Sequence, residues 1–250
     1  MSTPTSVVAS ARAARVVWHA AANESGWIEA AVAGVRDALQ AGLAEADEAW
    51  LLLSGGTTPA PVYGALARQA LDWAQVVVSL VDDRDVDPAA TGSNARLIRD
   101  TLLQDRAASA RFVPLRESAP TLDAAVVASN ARWPFPSARA TFAVAVLGMG
   151  DDGHTASLFP GAANLDAALV SREPYAAIDA TGCPVAGAWT QRISLTPSGL
   201  AAARRRLLLI RGADKRAVLE RALTPGDARD APIRAAIDLQ GAPLDVFWCP

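Results

Sequence analysis

Short apolar runs alternate with longer stretches rich in Ala and Leu, and this alternation constrains the fold of the 250-residue chain more than any other feature. Most of the short runs are apolar at every position, which is typical of strands covered by helices on both faces. These runs occupy residues 15–19, 50–53, 76–81, 141–147, 192–195, 207–211 and 244–248. The stretches with helical spacing occupy residues 27–44, 59–70, 94–103, 122–132 and 215–222. The alternation predicts an α/β fold, with a doubly wound, mainly parallel sheet flanked by helices.

No internal repeat and no low-complexity linker divides the chain. The Pro-rich residues 133–137 have the composition of a loop between a helix and a strand rather than of a boundary between domains. A chain of this length can bury one sizeable α/β core. We therefore expect residues 1–250 to form a single domain.

The charge balance and the lengths of the apolar runs argue against two classes of protein. The formal net charge of −3 at pH 7 disfavours nucleic-acid binding, which usually requires a basic surplus. No apolar run approaches the ~20 residues of a membrane helix. Residues 1–10 lack the charged start and apolar stretch of a signal peptide. We therefore expect a cytoplasmic protein that binds neither nucleic acid nor membranes.

Residues that could bind a metal or form disulfides are scarce. The chain has only two cysteines, Cys183 and Cys249, and two histidines, His19 and His154. The cysteines do not have the spacing of metal ligands, and two are too few for a disulfide framework. Four such residues scattered along the chain do not predict a zinc site. We expect reduced thiols and no metal ion.

In an open parallel sheet, ligands bind beyond the carboxyl ends of the strands, so the residues after each predicted strand are the candidates for function. Ser54, Gly55, Gly56 and Thr57 follow the second predicted strand and precede a helix that begins near Pro59. Glycines permit a close backbone approach to a ligand, and free N–H groups at a helix start bind phosphate. A tight turn explains the two glycines equally well, because the segment is neither a Walker A loop nor a GxGxxG motif.

Charged residues follow the third predicted strand abruptly, in the order Asp82, Asp83 and Arg84. Carboxylates at a strand end can orient a sugar hydroxyl or a water molecule, and an arginine can pair with an anion. A solvated loop with local Asp–Arg pairs is the alternative, since most charge runs have that structure. Asn94, which follows a serine, could equally belong to the cap of the next helix.

The segment after the fourth predicted strand, residues 148–161, is the strongest candidate. Three glycines within residues 148–153 make a flexible loop that a purely structural turn does not require. His154 follows them directly, and histidine is the most common general base because it titrates near neutral pH. Asp151 and Asp152 lie next to it, and a carboxylate this close could fix the orientation of the imidazole and raise its basicity. A packed structural histidine is the usual alternative, and we assign that role to His19, which has no glycine loop beside it.

Two basic residues lie near later strands. Lys215 is the only lysine of the chain and lies at the start of a predicted helix, where the dipole favours anions. A cation at that position calls for an anionic partner, which a bound phosphate or the neighbouring Asp214 would supply. A surface lysine is the alternative interpretation. Arg192 opens the predicted strand 192–195.

Taken in order, these segments resemble the 6-phosphogluconolactonase family through nearly the whole chain. Residues 148–161, Gly-Met-Gly-Asp-Asp-Gly-His-Thr-Ala-Ser-Leu-Phe-Pro-Gly, carry the most specific part of the resemblance. The resemblance implies a doubly wound fold shared with sugar-phosphate isomerases. It also implies hydrolysis of 6-phospho-D-glucono-1,5-lactone to 6-phosphogluconate, the second step of the oxidative pentose phosphate pathway, with no cofactor and no metal.

The resemblance further implies roles for individual residues. His154 is the implied general base, and Asp82 is the implied second catalytic residue, which orients His154, the water or a sugar hydroxyl. The implied substrate-binding residues are Ser54, Gly55, Gly56, Thr57, Arg84, Asn94, Gly150, Asp152, Arg192 and Lys215. One departure concerns Asp83, because the family usually has glutamate there. A carboxylate one methylene shorter either only supports the loop or loses its reach to the substrate.

Two other functions compete with lactone hydrolysis. An amino-sugar-phosphate isomerase or deaminase would share the phosphate site, but such enzymes have an acid after the histidine, where this chain has Ser-Leu-Phe-Pro at residues 157–160. A non-catalytic sugar-phosphate sensor would keep Lys215 and Arg192 but would not need His154 and Asp82. A serine hydrolase would need a Gly-x-Ser-x-Gly motif, which is absent. We expect a small-molecule substrate, and a monomer or a weak homodimer.

Overall fold

A computed structural model describes residues 11–117 and 119–250, so the expectation about a signal peptide in residues 1–10 lies outside the described part of the chain. The chain forms a seven-stranded sheet in which every pair of neighbouring strands is parallel. Its strands, in spatial order, are β1 (Val16–Ala20), β10 (Leu244–Cys249), β9 (Arg205–Arg211), β6 (Ala140–Leu147), β2 (Glu48–Leu53), β3 (Val76–Leu80) and β5 (Arg111–Phe112). The prediction of a mainly parallel sheet is confirmed.

The order of the strands reverses the direction of winding between β2 and β6. From β2 the chain proceeds outward to β3 and β5 on one side, and from β6 it proceeds to β9 and β10 on the other. Open α/β sheets bind their ligands in the crevice that such a reversal creates at the carboxyl ends of the strands. Ser54 follows β2 and begins the first glycine loop, residues 54–57. Gly148 follows β6 and begins the second glycine loop, residues 148–153, so both loops begin at this crevice.

A second sheet has three antiparallel strands, β4 (Asp82–Arg84), β8 (Gln191–Leu195) and β7 (Tyr175–Asp179). The prediction that residues 192–195 belong to the parallel sheet is therefore wrong. An apolar run identifies a buried strand but not its partner, which only the tertiary fold decides. In the register of β4 with β8, Arg84 lies opposite Arg192, so the small sheet brings two basic residues together.

The helices that lie wholly within the described residues are α1 (Glu24–Leu43), α2 (Ala60–Leu66), α3 (Asn94–Thr101), α4 (Leu122–Ala131), α5 (Leu165–Leu169), α6 (Pro197–Ala201), α7 (Gly212–Ala222) and α8 (Ile233–Asp238). Five of them correspond to predicted helices. The others, α5, α6 and α8, have five or six residues, which is too short for a periodic pattern to reveal. None of these helices combines the length and the apolar character that a membrane crossing requires.

Helix α1 packs against the sheet because its apolar positions recur at helical spacing. Asn23 caps its start by accepting a hydrogen bond from the backbone of Gly26. The side chain of Trp27 is fully buried, and all eight residues of β6 beneath the helix are buried as well. At Gly42 a Cβ would lie only 2.9 Å from the Cβ of Ala143, so a larger residue there would push α1 away from β6.

Candidate active site

A pocket of about 320 Å³ lies beyond the carboxyl ends of β2, β3, β6 and β9, at the crevice where the winding reverses. The sequence-predicted site residues that line it are Ser54, Gly55, Gly56, Thr57, Asp82, Arg84, Asn94, Gly150, His154, Arg192 and Lys215. The remaining one, Asp152, contacts the pocket through His154. Segments far apart in the chain thus meet at one place, as the strand-end argument predicts.

His154 and Asp152 form a hydrogen-bonded pair within the second glycine loop. Asp152 Oδ1 lies 2.6 Å from His154 Nδ1 and accepts a second bond, of 3.1 Å, from the backbone N–H of His154. Because a carboxylate only accepts, we assign the proton of the neutral ring to Nδ1, which leaves the lone pair on Nε2. Among the described residues, Nε2 has no hydrogen-bond partner. The pair therefore offers a free basic nitrogen beside the pocket.

The contact with His154 keeps the carboxyl group of Asp152 ionised. Partial burial acts to raise its pKa, but the hydrogen bonds from His154, together with the charge of the ring when it is protonated, outweigh that effect, so the pKa lies below its ordinary value. An ionised carboxylate beside Nδ1 stabilises the imidazolium that forms when Nε2 accepts a proton. The resemblance implies that Asp152 binds substrate, whereas in the structure its carboxylate is occupied by His154.

Gly150 makes room for this pair. A Cβ at this position would lie 2.1 Å from His154 Nδ1 and 2.6 Å from Asp152 Oδ1, so any other residue would displace both side chains. The loop closes through a 2.9 Å hydrogen bond from the Gly150 N–H to the His154 carbonyl. Gly153 has a φ of +78°, a conformation that favours glycine. These two glycines thus fix the geometry of the His–Asp pair.

Asp82 is nearly buried, and its contacts differ from those of Asp152. Its Oδ2 accepts a 2.5 Å hydrogen bond from Ser157 Oγ, and its backbone carbonyl accepts a 2.8 Å bond from Asn94 Nδ2. The geometry does not support the interpretation that Asp82 orients His154, because Nδ1 of that ring is already bonded to Asp152. Asp82 is left to act on a water molecule or on a hydroxyl of the ligand.

Asp83, where the family usually has glutamate, is fully buried and holds the loop before α3. Its carboxylate accepts four hydrogen bonds of 2.7 to 3.1 Å, from Ser93 Oγ and from the backbone amides of Arg84, Asn94 and Ala95. Burial raises the pKa of Asp83, and these bonds oppose the shift. Because its oxygens are occupied inside the protein, Asp83 supports the loop, and the shorter side chain costs no reach toward a ligand.

Asn94 determines the shape of the first glycine loop. A Cβ on Gly55 would lie 1.9 Å from Asn94 Oδ1, so this position requires glycine, and Gly56 has a φ of +101°. Asn94 Oδ1 accepts a 3.1 Å bond from Arg84 Nη1, which also donates to the Gly92 carbonyl at 2.7 Å. Helix α2 has only seven residues, so its dipole is weak. The backbone amides of the loop are therefore a better anion site than the start of this helix.

Arg192 supplies buried positive charge to the pocket. Its Nε donates to the Trp189 carbonyl at 2.5 Å and its Nη2 to the Ala186 carbonyl at 2.7 Å. Burial lowers its pKa, and the charge of Asp82 acts in the opposite direction. An arginine stays protonated under such a shift, so Arg192 holds the loop of residues 186–189 and leaves Nη1 without a protein partner among the described residues.

Lys215 lies in the first turns of α7 and pairs with Asp151 rather than with the neighbouring Asp214. Its Nζ is 2.8 Å from Asp151 Oδ1, and the Asp151 side chain is 77% exposed. An ion pair with so exposed a partner is weak, because water screens it. A phosphate that enters the pocket can therefore replace Asp151 as the partner of Lys215.

Further contributors to the site are not among the predicted site residues. Ser157 belongs to the most specific motif, but its hydroxyl was not considered as a hydrogen-bond donor. Arg211 and Val185 also line the pocket; Arg211 ends the predicted strand 207–211, so its position at a strand end could have identified it, whereas Val185 belongs to no such pattern. Ser54, which was predicted, is 5% exposed, and its Oγ has no hydrogen-bond partner among the described residues, so it is available to a ligand.

A larger cleft, of about 620 Å³, lies near the amino-terminal ends of β6 and β9. Trp133 and Phe135 line it together with Arg172 and Arg204, but none of the predicted site residues does. It has no histidine and no glycine loop, so its volume alone does not make it a catalytic site. The described residues also contain no cluster of three or more His, Cys, Asp or Glu that could hold a metal ion.

Comparisons with known proteins show the family to which the chain belongs. A model of the family described as glucosamine-6-phosphate isomerases/6-phosphogluconolactonase matches residues 22–248. A 6-phosphogluconolactonase of Xylella fastidiosa is 48% identical over 226 residues, which are 89% of this chain and 92% of that protein. A 6-phosphogluconolactonase of Rhizobium meliloti is 41% identical over 232 residues, 93% of this chain and 98% of that protein.

Solved structures show the same fold. The crystal structure of a 6-phosphogluconolactonase from Shewanella baltica superposes with a TM-score of 0.85 at 33% identity, covering 94% of this chain and 98% of that one. A monomeric glucosamine-6-phosphate deaminase superposes with a TM-score of 0.73 at 18% identity, covering 93% of this chain and 96% of that one. The second likeness concerns the fold alone.

Proposed function

This chain belongs to the family of glucosamine-6-phosphate isomerases and 6-phosphogluconolactonases, and we propose that its pocket hydrolyses 6-phospho-D-glucono-1,5-lactone to 6-phosphogluconate. Relatives more than 40% identical over about nine-tenths of the chain carry the name 6-phosphogluconolactonase. One observation carries the proposal within the family: the His154–Asp152 pair borders a pocket lined by basic side chains. Hydrolysis of the lactone requires the base, and binding of its phosphate group requires the basic side chains.

His154 is the general base of the reaction. Because Nδ1 is bonded to Asp152, Nε2 is the nitrogen that takes a proton from water as the water oxygen attacks the lactone carbonyl carbon. The π electrons of the carbonyl move onto its oxygen and give a tetrahedral intermediate. A positioned base of this kind contributes about 10²–10⁴-fold to the rate.

Ring opening returns the proton. As the carbonyl re-forms, the bond between the carbonyl carbon and the ring oxygen breaks, and the imidazolium of His154 gives its proton to that oxygen. The ring oxygen becomes a hydroxyl, and the new carboxylic acid loses its proton to solvent. One water molecule is consumed and the base is regenerated, so atoms and charge balance.

Two negative groups need partners in this reaction, the oxyanion of the intermediate and the phosphate. The amides of Gly150 and Gly153 already donate within their own loop, whereas those of Gly55 and Gly56 make no hydrogen bond among the described residues. We assign the latter two amides to a negative oxygen of the substrate, because free backbone donors stabilise such charge without reorganisation. The basic residues assigned to the phosphate are Arg84, Arg192 and Lys215.

Asp82 completes the site as an acceptor for a sugar hydroxyl or for the attacking water. Asp82 lines the pocket, and its carboxylate is not bonded to His154. A carboxylate that accepts from a hydroxyl fixes the sugar ring without transferring a proton. Ser54 Oγ, which is buried and unpaired in the described residues, is a second partner for the sugar.

The direct test is to generate the lactone in situ from glucose 6-phosphate and to follow its loss with and without the protein. Spontaneous hydrolysis is fast, so the comparison belongs at mildly acidic pH. We expect the rate of loss to rise in proportion to the protein concentration, and an unchanged rate contradicts the proposal. Release of ammonia from glucosamine 6-phosphate would instead indicate a deaminase. Binding of 6-phosphogluconate without any turnover would indicate a sensor.

Broader expectations accompany this function. We propose that residues 1–250 form one domain, which is supported by the pairing of β1 with β10, the first and last described strands. We propose a cytoplasmic location, and a monomer or weak homodimer that does not bind nucleic acid. The acidic net charge of −3 supports the last point.

A further inference from the structure

Ser157 reaches the site from behind the pocket. It is fully buried and does not line the pocket, yet its Oγ lies 2.5 Å from Oδ2 of Asp82. Ser157 follows His154 by three residues in the same loop, whereas Asp82 begins β4. This hydrogen bond therefore joins the segment that carries the base to the segment that carries the second acid.

The surroundings of Ser157 fix the direction of this bond. An ionised carboxylate only accepts, so the single hydroxyl proton of Ser157 is donated to Asp82. The backbone N–H of Ser157 donates to Ser194 Oγ at 3.0 Å, which holds the main chain in place. Ala156, just before it, has a φ of +51°, a conformation that residues with a Cβ rarely adopt. Such strain persists only where neighbouring contacts hold it, as they do here.

Asp82 has few other partners, in contrast with Asp83 beside it. Its Oδ1 has only a long contact, 3.5 Å, with Asn94 Nδ2. Within the described residues, no Lys, Arg or His side chain forms an ion pair with Asp82. A carboxylate oxygen that accepts no short hydrogen bond can still accept one from a ligand. Oδ1 thus has capacity left for a ligand, while Oδ2 is occupied by Ser157.

We propose that Ser157 is a positioning residue for lactone hydrolysis: its hydroxyl fixes Asp82 so that Oδ1 meets a hydroxyl of the bound sugar at a set distance from His154. The inference rests on the proposed function. Without this bond the Asp82 carboxylate can turn about its χ2 angle and present either oxygen. A sugar held by it then shifts relative to Nε2 of His154, and a shift of about 1 Å can cost 10²-fold in rate.

The first test is Ser157→Ala with Ser79→Ala as a matched control. Ser79 is also a buried serine with a short bond, 2.7 Å from its Oγ to the Val113 carbonyl, but it does not line the pocket. We expect Ser157→Ala to lower kcat by about 10- to 100-fold. KM should change less than about 3-fold, because the basic residues assigned to the phosphate are unchanged. Ser79→Ala should leave both constants unchanged. Equal kcat in Ser157→Ala and the wild type overturns the inference.

A double-mutant cycle separates positioning from a general loss of structure. If Ser157 acts through Asp82, adding Ser157→Ala to Asp82→Asn should change kcat by less than about 2-fold, since the group it positions has already been altered. If the fall in kcat of the double variant equals the product of the falls in the two single variants, the inference is overturned. If the alanine variant does not fold, Ser157→Cys keeps a similar side chain with a much weaker donor, and we expect the same fall in kcat.

The wild type, measured in the same assay, distinguishes two failures. If it does not accelerate loss of the lactone, the proposed function fails and this inference fails with it. If the wild type is active while Ser157→Ala and Ser157→Cys keep full kcat, only the positioning role of Ser157 is overturned.

Discussion

The two histidines of this chain have nearly the same immediate neighbours. His154 Nδ1 lies 2.6 Å from Asp152, and His19 Nε2 lies 2.8 Å from Asp245. Each ring also lies against a phenylalanine, with 4.4 Å between ring centroids in both cases. A search for His–Asp pairs alone would therefore treat the two as equivalent.

The surroundings of the two pairs differ in ways that decide their chemistry. Asp245 also binds Arg205 at 2.6 Å, so its charge is already offset and is less able to stabilise an imidazolium. His19 lies on β1, at the edge of the sheet, and does not line the pocket. His154 has an unshared carboxylate, an available Nε2 and a cavity beside it. A His–Asp pair becomes a base only when these conditions are met together.

Removing each imidazole tests the comparison most severely. We expect His154→Ala to lower kcat for the lactone by about 10²–10⁴-fold, because the base that activates water is lost. His19→Ala, the matched control, should keep kcat within about 2-fold. Loss of the lactone against the spontaneous rate measures both, and thermal unfolding verifies that both variants are folded. Normal turnover by folded His154→Ala would refute the assignment of the base.

Neutralising the two aspartates sharpens the same contrast. Asp152→Asn should lower kcat by roughly 100-fold, because the amide does not enforce the tautomer or stabilise the imidazolium. Asp245→Asn should leave kcat unchanged and lower the free energy of unfolding by about 2 kcal/mol, since it removes a buried charge that accepts hydrogen bonds from Arg205. Urea unfolding and the lactone assay separate these effects. Equal effects of the two substitutions on kcat would abolish the distinction between the pairs.

Most of the main sheet could be predicted from the sequence because its central strands are apolar at nearly every position, whereas the two-residue β5 is too short to predict. All eight residues of β6 are buried, and a run of that kind has few interpretations besides a central strand. The short helices α5, α6 and α8 are too brief to show a period. The antiparallel pairing of β8 with β4 depends on contacts between distant segments, which local patterns do not encode.

The residues of the candidate site could be listed from the sequence, but their partners could not. Strand ends and one specific motif indicated His154 and Asp82, and the structure brings both to one pocket. That Asp152, rather than Asp82, is bonded to the imidazole depends on how the loop of residues 148–154 bends. The bond from Ser157 to Asp82 joins residues 75 positions apart, so only the folded chain reveals it.

Gly150 tests whether the loop geometry, which has no counterpart around His19, is required for activity. A Cβ at Gly150 would overlap His154 Nδ1, so Gly150→Ala should separate His154 from Asp152 and lower kcat by about 30-fold. Gly64 is the matched control, because a Cβ there meets no atom within 4 Å and its helix tolerates alanine. We expect Gly64→Ala to retain kcat with equal or higher stability. If both alanine variants have the activity of the wild type, the close packing at Gly150 has no role in catalysis.

The smallest expected effect concerns the cation near each histidine. Arg205 is committed to the buried Asp245, whereas Lys215 is paired with the exposed Asp151, which a phosphate can replace. Lys215→Ala should therefore raise KM about 10-fold with little change in kcat, the equivalent of roughly 1.4 kcal/mol of binding. Asp151→Asn should act in the opposite direction and lower KM about 2-fold, because it removes a weak competitor for the ammonium group. The Kd of 6-phosphogluconate, measured by titration, should likewise rise in Lys215→Ala and fall in Asp151→Asn, and this measurement needs no turnover. If KM rises in both variants, Asp151 assists binding, and the proposal that a phosphate replaces Asp151 as the partner of Lys215 is wrong.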